Sequence, residues 1–326
     1  MAEHLPGRLF PRDVRARLEA RCAVEPGPPL REFRSARARA ALARADILLT
    51  GWGCPRVDTD VLARAPRLRA VVHTAGTVKE HLDRAVFERG IMVGSAAWAN
   101  AIPVAEYTLA MILLANKGVP AAAREYRRRR ADPDLTRRYP AIGNYRRTVG
   151  LVGASRIGRR VLELLQPFDL EVLLSDPFVT ADEATALGAR PAGLPELFAA
   201  CDLVSLHAPS VEATRGMVDA RLLASMPDGA TLLNTARGAL VDQDALTAEL
   251  RTGRIRAVLD VTEPEITDAA SPLWDLPNVV LTPHIAGSLG GELARLGAAA
   301  VDEVLRVAAG LPLAHPVEYD ALSVSA

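Results

Sequence analysis

Three clusters of polar residues each follow a short apolar run in the second half of the chain. Asn234-Thr-Ala-Arg237-Gly238 follows one run, Asp260-Val-Thr-Glu263-Pro-Glu265 a second, and Thr282-Pro-His284-Ile-Ala-Gly287 a third. Open α/β sheets build their sites just beyond the carboxyl ends of strands. An arginine, a carboxylate and a histidine in such positions suit hydride chemistry on an α-keto acid. A guanidinium can hold a carboxylate in a planar two-point contact and polarise the adjacent carbonyl. A histidine can exchange the hydroxyl proton near neutral pH, and a carboxylate beside it orients the ring. Glu263 and Glu265 are both candidates for that carboxylate.

A second constellation lies upstream. The run 148–152 reads as a strand and leads directly into Gly153-Ala-Ser-Arg-Ile-Gly158, which opens a helical pattern. A glycine-rich turn between strand and helix lets backbone N–H groups and the positive helix end receive a pyrophosphate. The next strand ends at Asp176, at the distance of about 20 residues past the glycines where an acidic side chain accepts ribose hydroxyls. Such a carboxylate repels a 2′-phosphate, which favours NAD over NADP; the competing reading is a cap on the Asp176-Pro177 turn. Ser155 stands where the fingerprint has its middle glycine. Either its hydroxyl donates to a phosphate oxygen or the ligand shifts slightly.

The elements that must position these residues read as an α/β alternation almost throughout. Strands are expected at 47–50, 68–73 and 91–93, with helices at 57–65 and 80–89 between them. A long helix is expected to open near Ile102-Pro103, proline being suited to a first turn. The arginine run Arg127–Arg130 is flanked by Glu125, Asp132 and Asp134 and reads as a solvated helix end or an oligomer contact. Strands at 148–152, 171–175, 202–206, 230–234, 256–260 and 279–282 then form one buried sheet, with helices at 156–168 and 195–200. A last helix at 289–309 puts Leu289, Leu293, Leu296, Ala300, Val304 and Val307 on one face, with Ser288 as its cap. The tail 321–326 is expected to fray.

Composition narrows the function. The 326 residues suit two domains, and 39 basic against 39 acidic residues leave a formal net charge of +0. A nucleic-acid binder or polybasic membrane protein carries a basic excess, and none is present. Hydrophobic residues make up 49% and charged residues 24%, the profile of a globular protein. The cysteines Cys22, Cys54 and Cys201 share no metal-ligand spacing, so neither a metal nor a disulfide framework is expected. The N-terminus lacks the apolar core of a signal peptide. The longest apolar stretch, 107–115, is far short of the roughly 20 residues that cross a bilayer. The expectation is a soluble, cytoplasmic protein.

Taken in order, several segments resemble the D-isomer-specific 2-hydroxyacid dehydrogenases, of the phosphoglycerate dehydrogenase and glyoxylate-hydroxypyruvate reductase kind. They are Val149-Gly-Leu-Val-Gly-Ala-Ser-Arg-Ile-Gly158, Leu206-His-Ala-Pro209 with Thr214, Asn234-Thr-Ala-Arg-Gly238, Asp260-Val with Glu265, and Thr282-Pro-His284. Asn100-Ala-Ile-Pro-Val-Ala-Glu106 is similar to the family's entry into its hinge helix. The resemblance implies two Rossmann-like domains. A doubly wound parallel-sheet NAD-binding domain, 102–287, would be inserted into a flavodoxin-like substrate domain, 1–101 and 288–326.

It makes Arg237 the substrate-binding arginine, His284 the acid/base and Glu265 its partner, five residues after Asp260, with Ile266 where a proline is usual. Cofactor contacts are implied for Gly153, Ser155, Arg156, Ile157, Gly158, Asp176, His207, Thr214, Thr235, Ala236, Arg237, Asp260, His284, Ala286 and Gly287. Substrate contacts are implied for Ala75, Gly76, Asn100 and Arg237. The implied cofactor is NAD(H), the ligand a 2-oxo or D-2-hydroxy acid, and the assembly a homodimer through the arm 102–147. The absence of basic residues over Thr50–Gly53 disfavours a phosphorylated substrate, and Glu265 argues against formate dehydrogenation. A binding protein of the same fold that senses NAD(H) without turnover is the alternative. His4, His81 and His315 read as surface residues, His207 as a shaper of the cofactor loop, and His73 as a packing or pocket-bordering group. Trp52, Trp98 and Trp274 read as packing residues, the first two also as walls of a substrate pocket.

Overall fold

Apolar runs too short for helices and bounded by turn residues form the strands, and every paired strand among the described residues is parallel. The computed structural model describes residues 1–132, 134, 137 and 142–322. The chain divides into two units, Met1–Ala101 with Ser288–Ala326, and Ile102–Gly287.

The first unit holds β1 (Ile47–Thr50), β2 (Ala70–His73) and β3 (Met92–Ser95), in that spatial order. Their register aligns Thr50, His73 and Ser95, so three polar side chains end the three strands together. Ala70 and Val72 pack against the C-terminal helix through Val301 and Val304. Val71 packs on the other face with Leu42, Val61 and Val86. Burial on both faces is why these strands are continuously apolar rather than alternating. The helices between them, Thr59–Arg64 and Arg84–Glu88, start later than the apolar pattern suggests. Asp58 and Asp83 cap them, accepting from the N–H groups of Val61 and Ala85, and a helix begins where its cap is satisfied.

The second unit holds β4 (Arg147–Val152), β5 (Leu170–Ser175), β6 (Arg190–Pro191), β7 (Leu203–Leu206), β8 (Thr231–Asn234), β9 (Arg256–Leu259) and β10 (Val279–Leu281). Their order is β10-β9-β8-β7-β4-β5-β6, the doubly wound arrangement whose switch point falls between β4 and β7. Leu197, Phe198, Leu206, Leu223 and Met226 fill one face of this sheet. Val149, Leu151, Leu162, Leu165 and Leu203 fill the other, together with Ala105 and Ile112. Truncating such a leucine to alanine costs about 2–5 kcal/mol.

Two further helix boundaries correct the sequence reading. The long helix runs Ala97–Asn116, so it opens directly after β3 and Pro103 lies inside it. The Ser95 hydroxyl accepts from Ala97 N–H, and Asn100 N–H bonds to the Ala96 carbonyl, so the first turn is complete before the proline. With 20 residues this helix has the length and composition to cross a membrane. Within the protein, Ala99, Ala105 and Ile112 spend that apolarity on packing. The C-terminal helix runs Leu293–Ala308, later than expected. Gly290-Gly291 resist helix formation, and the Glu292 carboxylate accepts from Leu289 N–H. Leu289 is therefore 51% exposed instead of joining the buried face, and Ser288 does not cap the helix. Residues 323–326 of the tail, and 133, 135, 136 and 138–141 of the arm, lie outside the described residues.

Two histidines sit inside the fold. His73 is 1% exposed, its Nδ1 2.9 Å from the Thr50 hydroxyl, and the half-buried His81 ring lies tilted against it, 4.8 Å between centroids. Burial first, then the neighbouring His81, pushes the His73 pKa down to about 3. Burial alone pushes His207, beside the Ser205 hydroxyl, down to about 4. Both are neutral when folded and protonate near 6.5 when unfolded. Their contribution to stability is therefore complete above pH 6.5 and is lost as pH falls toward 4 and 3, at up to about 1.4 kcal/mol per pH unit each. A proton NMR titration should find the His73 and His207 imidazoles still neutral at pH 5, with a lower urea midpoint there than at pH 7.5; protonation of both by pH 5 would contradict this.

Candidate active site

Because all strands of the second sheet are parallel, their exits share one edge. In spatial order that edge carries Thr282–Gly287 after β10, Asp260–Glu265 after β9, Thr235–Arg237 after β8, His207 after β7, the glycine turn after β4 and Asp176 after β5. Neighbouring strands lie about 4.8 Å apart. Residues as far apart in sequence as Gly153 and Gly287 therefore meet along one rim.

The glycine turn is built for close approach. Gly153 has φ +98, and a Cβ there would lie 2.7 Å from the Ala208 nitrogen, on the chain leaving β7. A Cβ on Gly158 would lie 2.2 Å from the Gly153 carbonyl oxygen. Only glycine lets turn, helix and β7 exit pack this tightly. Ser155 has φ −59, which needs no glycine, and its hydroxyl caps the helix Arg156–Leu165 by accepting from Gly158 N–H. Its own hydrogen remains available to an oxygen in front of the helix. Arg156 is exposed and Ile157 half-buried at the helix start. Asp176 accepts from Ala154 N–H (2.7 Å) and Phe178 N–H (2.8 Å), so it both closes its own turn and ties it to the glycine turn. His207 is buried, its Cβ behind Gly158. Thr214 closes the loop after β7 by donating to the Pro209 carbonyl. Backbone donors, a helix end and a carboxylate beyond β5 together fit a dinucleotide.

Arg237 is placed by Asn234. The Asn234 carboxamide donates to the Arg237 carbonyl (2.8 Å) and accepts from Ala236 N–H (3.0 Å), folding the turn. The guanidinium donates to the Ala236 carbonyl and forms no salt bridge among the described residues. Thr235 and Ala236 are buried, Thr235 bonding to Thr108 on the long helix.

His284 sits at φ +52, a left-handed conformation that costs a non-glycine residue about 1–3 kcal/mol and persists only when its surroundings enforce it. Asp260, 1% exposed, supplies that enforcement. Its backbone carbonyl accepts from His284 N–H (2.9 Å). Its Oδ1 accepts from the Thr282 hydroxyl (2.6 Å) and Ile285 N–H (2.8 Å), and its Oδ2 from Ala286 N–H (2.9 Å). Since the Thr282 hydroxyl donates to Asp260, the Tyr107 hydroxyl, 2.8 Å away, donates to Thr282. Burial pushes the Tyr107 hydroxyl above the usual tyrosine range. Gly287, half-buried, ends the loop.

Of the two candidate carboxylates, Glu265 meets His284, through Oε1 and Nδ1. Glu263 offers its backbone N–H to Gln243 instead. The second unit thus brings Arg237, Glu265 and His284 onto adjacent strand exits. Ala75, buried, Gly76, with open space where a Cβ would stand, and Asn100, accepting from Ser288 N–H, belong to the first unit. The sequence reading missed Tyr107 and Thr262 as supports, since a hydroxyl in a helix or loop carries no periodic signal. Trp52 and Trp274 are exposed and Trp98 half-buried, stacked on His315.

Residues 109–286 match the model of the D-isomer specific 2-hydroxyacid dehydrogenase NAD binding domain. The chain belongs to the D-isomer specific 2-hydroxyacid dehydrogenase family. Its second unit carries that family's NAD-binding Rossmann domain, and the dinucleotide is NAD(H). The chain is 37% identical over 276 residues to (S)-sulfolactate dehydrogenase of Chromohalobacter salexigens, covering 81% of this chain and 87% of the relative. It is 36% identical over 278 residues to D-3-phosphoglycerate dehydrogenase of Mycobacterium bovis, covering 83% and 51%. The chain therefore spans about half the length of the phosphoglycerate dehydrogenases it matches. The crystal structure of Aquifex aeolicus D-lactate dehydrogenase, complexed with NAD and lactic acid, is similar with a TM-score of 0.65 and 28% identity, covering 83% of this chain and 85% of that one.

Replacing Asp260 with Asn should turn an amide donor against one of the N–H groups it now satisfies. We expect a loss of about 2–3 kcal/mol in urea unfolding, because donors to a charged acceptor are worth about 1.5–3 kcal/mol each. An unchanged midpoint would remove Asp260 from its place as organiser of the His284 loop.

Proposed function

We propose that this protein is an NAD-dependent oxidoreductase that interconverts a 2-oxo acid and a D-2-hydroxy acid. The observation that carries the reading is the Glu265–His284 pair with Arg237 on neighbouring strand exits of the NAD-binding sheet. NAD(H), when bound, supplies or accepts the hydride at C2. Gly153, Ser155, Arg156, Ile157, Gly158, Asp176, Thr214 and the β8 and β10 exits are the residues assigned to hold it. Arg237 holds the substrate carboxylate in a two-point contact and polarises the neighbouring carbonyl. The resemblance adds Ala75, Gly76 and Asn100 as substrate contacts.

Glu265 accepts the Nδ1 proton of His284, which fixes the ring and its tautomer. His284 Nε2, with no hydrogen-bond partner among the described residues, donates a proton to the C2 oxygen during reduction and takes it back during oxidation. The substrate side chain is small or apolar in this proposal. Arg56, the first cation after Thr50–Gly53, already pairs with Asp83 at 2.9 Å. The helix Val119–Arg129 buries none of its side chains within the chain, which leaves it to a second copy; a cytoplasmic homodimer completes the proposal.

The test is NADH oxidation against glyoxylate, hydroxypyruvate, pyruvate, phenylpyruvate and 3-phosphohydroxypyruvate, with NADPH in parallel. We expect turnover with NADH, favouring the uncharged side chains. Arg237→Ala should lower kcat/KM by about two orders of magnitude, and His284→Gln by about 10²–10⁴. NADH binding without turnover on any acid would favour the NAD(H)-sensing alternative. Failure to bind NADH would defeat both.

A further inference from the structure

Glu265 and His284 are side chains 56% and 47% exposed, so burial does not hold them in place. An exposed pair of this kind contributes at most about 1 kcal/mol, too little to order two loops by itself. On the histidine side the loop is held by Asp260. On the carboxylate side, the neighbour of Glu265 is Ile266, 83% exposed, which packs nothing down.

Three features nevertheless fix the turn that carries Glu265. Thr262 is buried, and its hydroxyl donates to the Pro264 carbonyl (2.8 Å), with the Glu265 carbonyl also within reach (3.2 Å). The Glu263 N–H donates to the Gln243 carboxamide oxygen (3.0 Å). Gly238, the residue after Arg237, lies so close to the Thr262–Glu263 peptide that a Cβ would fall 2.0 Å from the Thr262 carbonyl carbon. The arginine turn and the glutamate turn are thus packed backbone to backbone, with Thr262 at the contact. Of these grips, only the Thr262 hydroxyl reaches the peptide of Glu265 itself.

We propose that Thr262 is a positioning residue: its hydroxyl clamps the 262–265 turn so that Glu265 faces His284 Nδ1. This rests on the pairing invoked under the proposed function and adds the group that makes it rigid. Without the clamp, Glu265 samples other rotamers and the imidazole loses its fixed tautomer. Binding of the substrate carboxylate by Arg237 is left intact, so the effect falls on proton transfer and not on KM.

The test compares Thr262→Val, which keeps the shape and removes the hydroxyl, with Thr262→Ser, which restores it. We expect Val to lower kcat by about fivefold to tenfold, the worth of one hydrogen bond, with KM for the 2-oxo acid within about twofold, and Ser to recover the wild-type value. Independently of turnover, ¹⁵N-histidine NMR above pH 8 should show His284, assigned by its loss in His284→Gln, as the Nδ1–H tautomer in wild type and Ser. In Val it should move toward the Nε2–H form. A Val variant with wild-type kcat and tautomer would overturn the proposal. So would a loss of activity in Val that Ser fails to rescue, with the tautomer unchanged. Should wild type reduce no 2-oxo acid while Val still shifts the tautomer, the reaction assignment fails and the positioning role stands.

Discussion

The geometry of the candidate site depends on one buried carboxylate. Asp260 directly follows β9, and its side chain and carbonyl together accept from Thr282, His284, Ile285 and Ala286. A charge almost without solvent contact is tolerable only when its lone pairs are used. Here they are used on the loop after β10, which would otherwise carry several unpaired N–H groups and a left-handed histidine. The same bonds that make Asp260 acceptable in the interior make the conformation of His284 acceptable at the rim. Tyr107 extends the network to the long helix through Thr282, so the histidine loop is tied to a structural helix as well as to its own sheet.

The parallel sheet does the rest of the gathering. Its exits share an edge: on one side of the switch point the β4 and β5 exits carry the glycine turn and Asp176, and on the other the β8, β9 and β10 exits carry Arg237, Glu265 and His284. Two glycines set how closely the exits approach. Gly153 lets the β4 turn rest on the β7 exit, and Gly238 lets the β8 exit rest on the β9 exit. At both contacts a methyl group would collide with backbone, which cannot yield as a flexible side chain can. Residue identity at the rim is therefore set by what the backbones must touch as much as by what a ligand must touch.

Much of this was legible in the sequence, and the reasons differ between parts. The strands read clearly because burial on both faces makes them continuously apolar. The glycine turn read clearly because positive φ and close packing leave few alternatives to glycine. The polar clusters read clearly because each falls directly after a strand. Helix starts were harder: Pro103 suggested a first turn, yet the chain was already helical from Ala97, since Ser95 and Ala96 satisfy the first N–H groups. Leu289 fitted the apolar stripe, yet Gly290-Gly291 and the Glu292 side chain delay the helix past it. The side-chain bonds of Tyr107, Thr262 and Gln243 span loops or long sequence separations and follow no period, so only the folded chain reveals them. The depressed pKa values of His73 and His207 likewise come from three-dimensional burial that spacing does not encode.

A pair of groups proposed to meet a ligand has to remain accessible, and accessibility removes the close packing that makes core side chains rigid. Glu265 and His284 are about half exposed, while the residues that fix their backbones, Asp260, Thr262 and Ala286, are each less than 10% exposed. Rigidity is thus generated one layer down and carried outward along the main chain: from Asp260 through three consecutive N–H groups to the histidine, and from Thr262 through two carbonyls to the glutamate. Direct support of the exposed side chains would have occupied the atoms that the proposed reaction uses. Supporting their peptides instead leaves His284 Nε2 without a hydrogen-bond partner and the Arg237 guanidinium without a salt bridge among the described residues, while their positions remain determined.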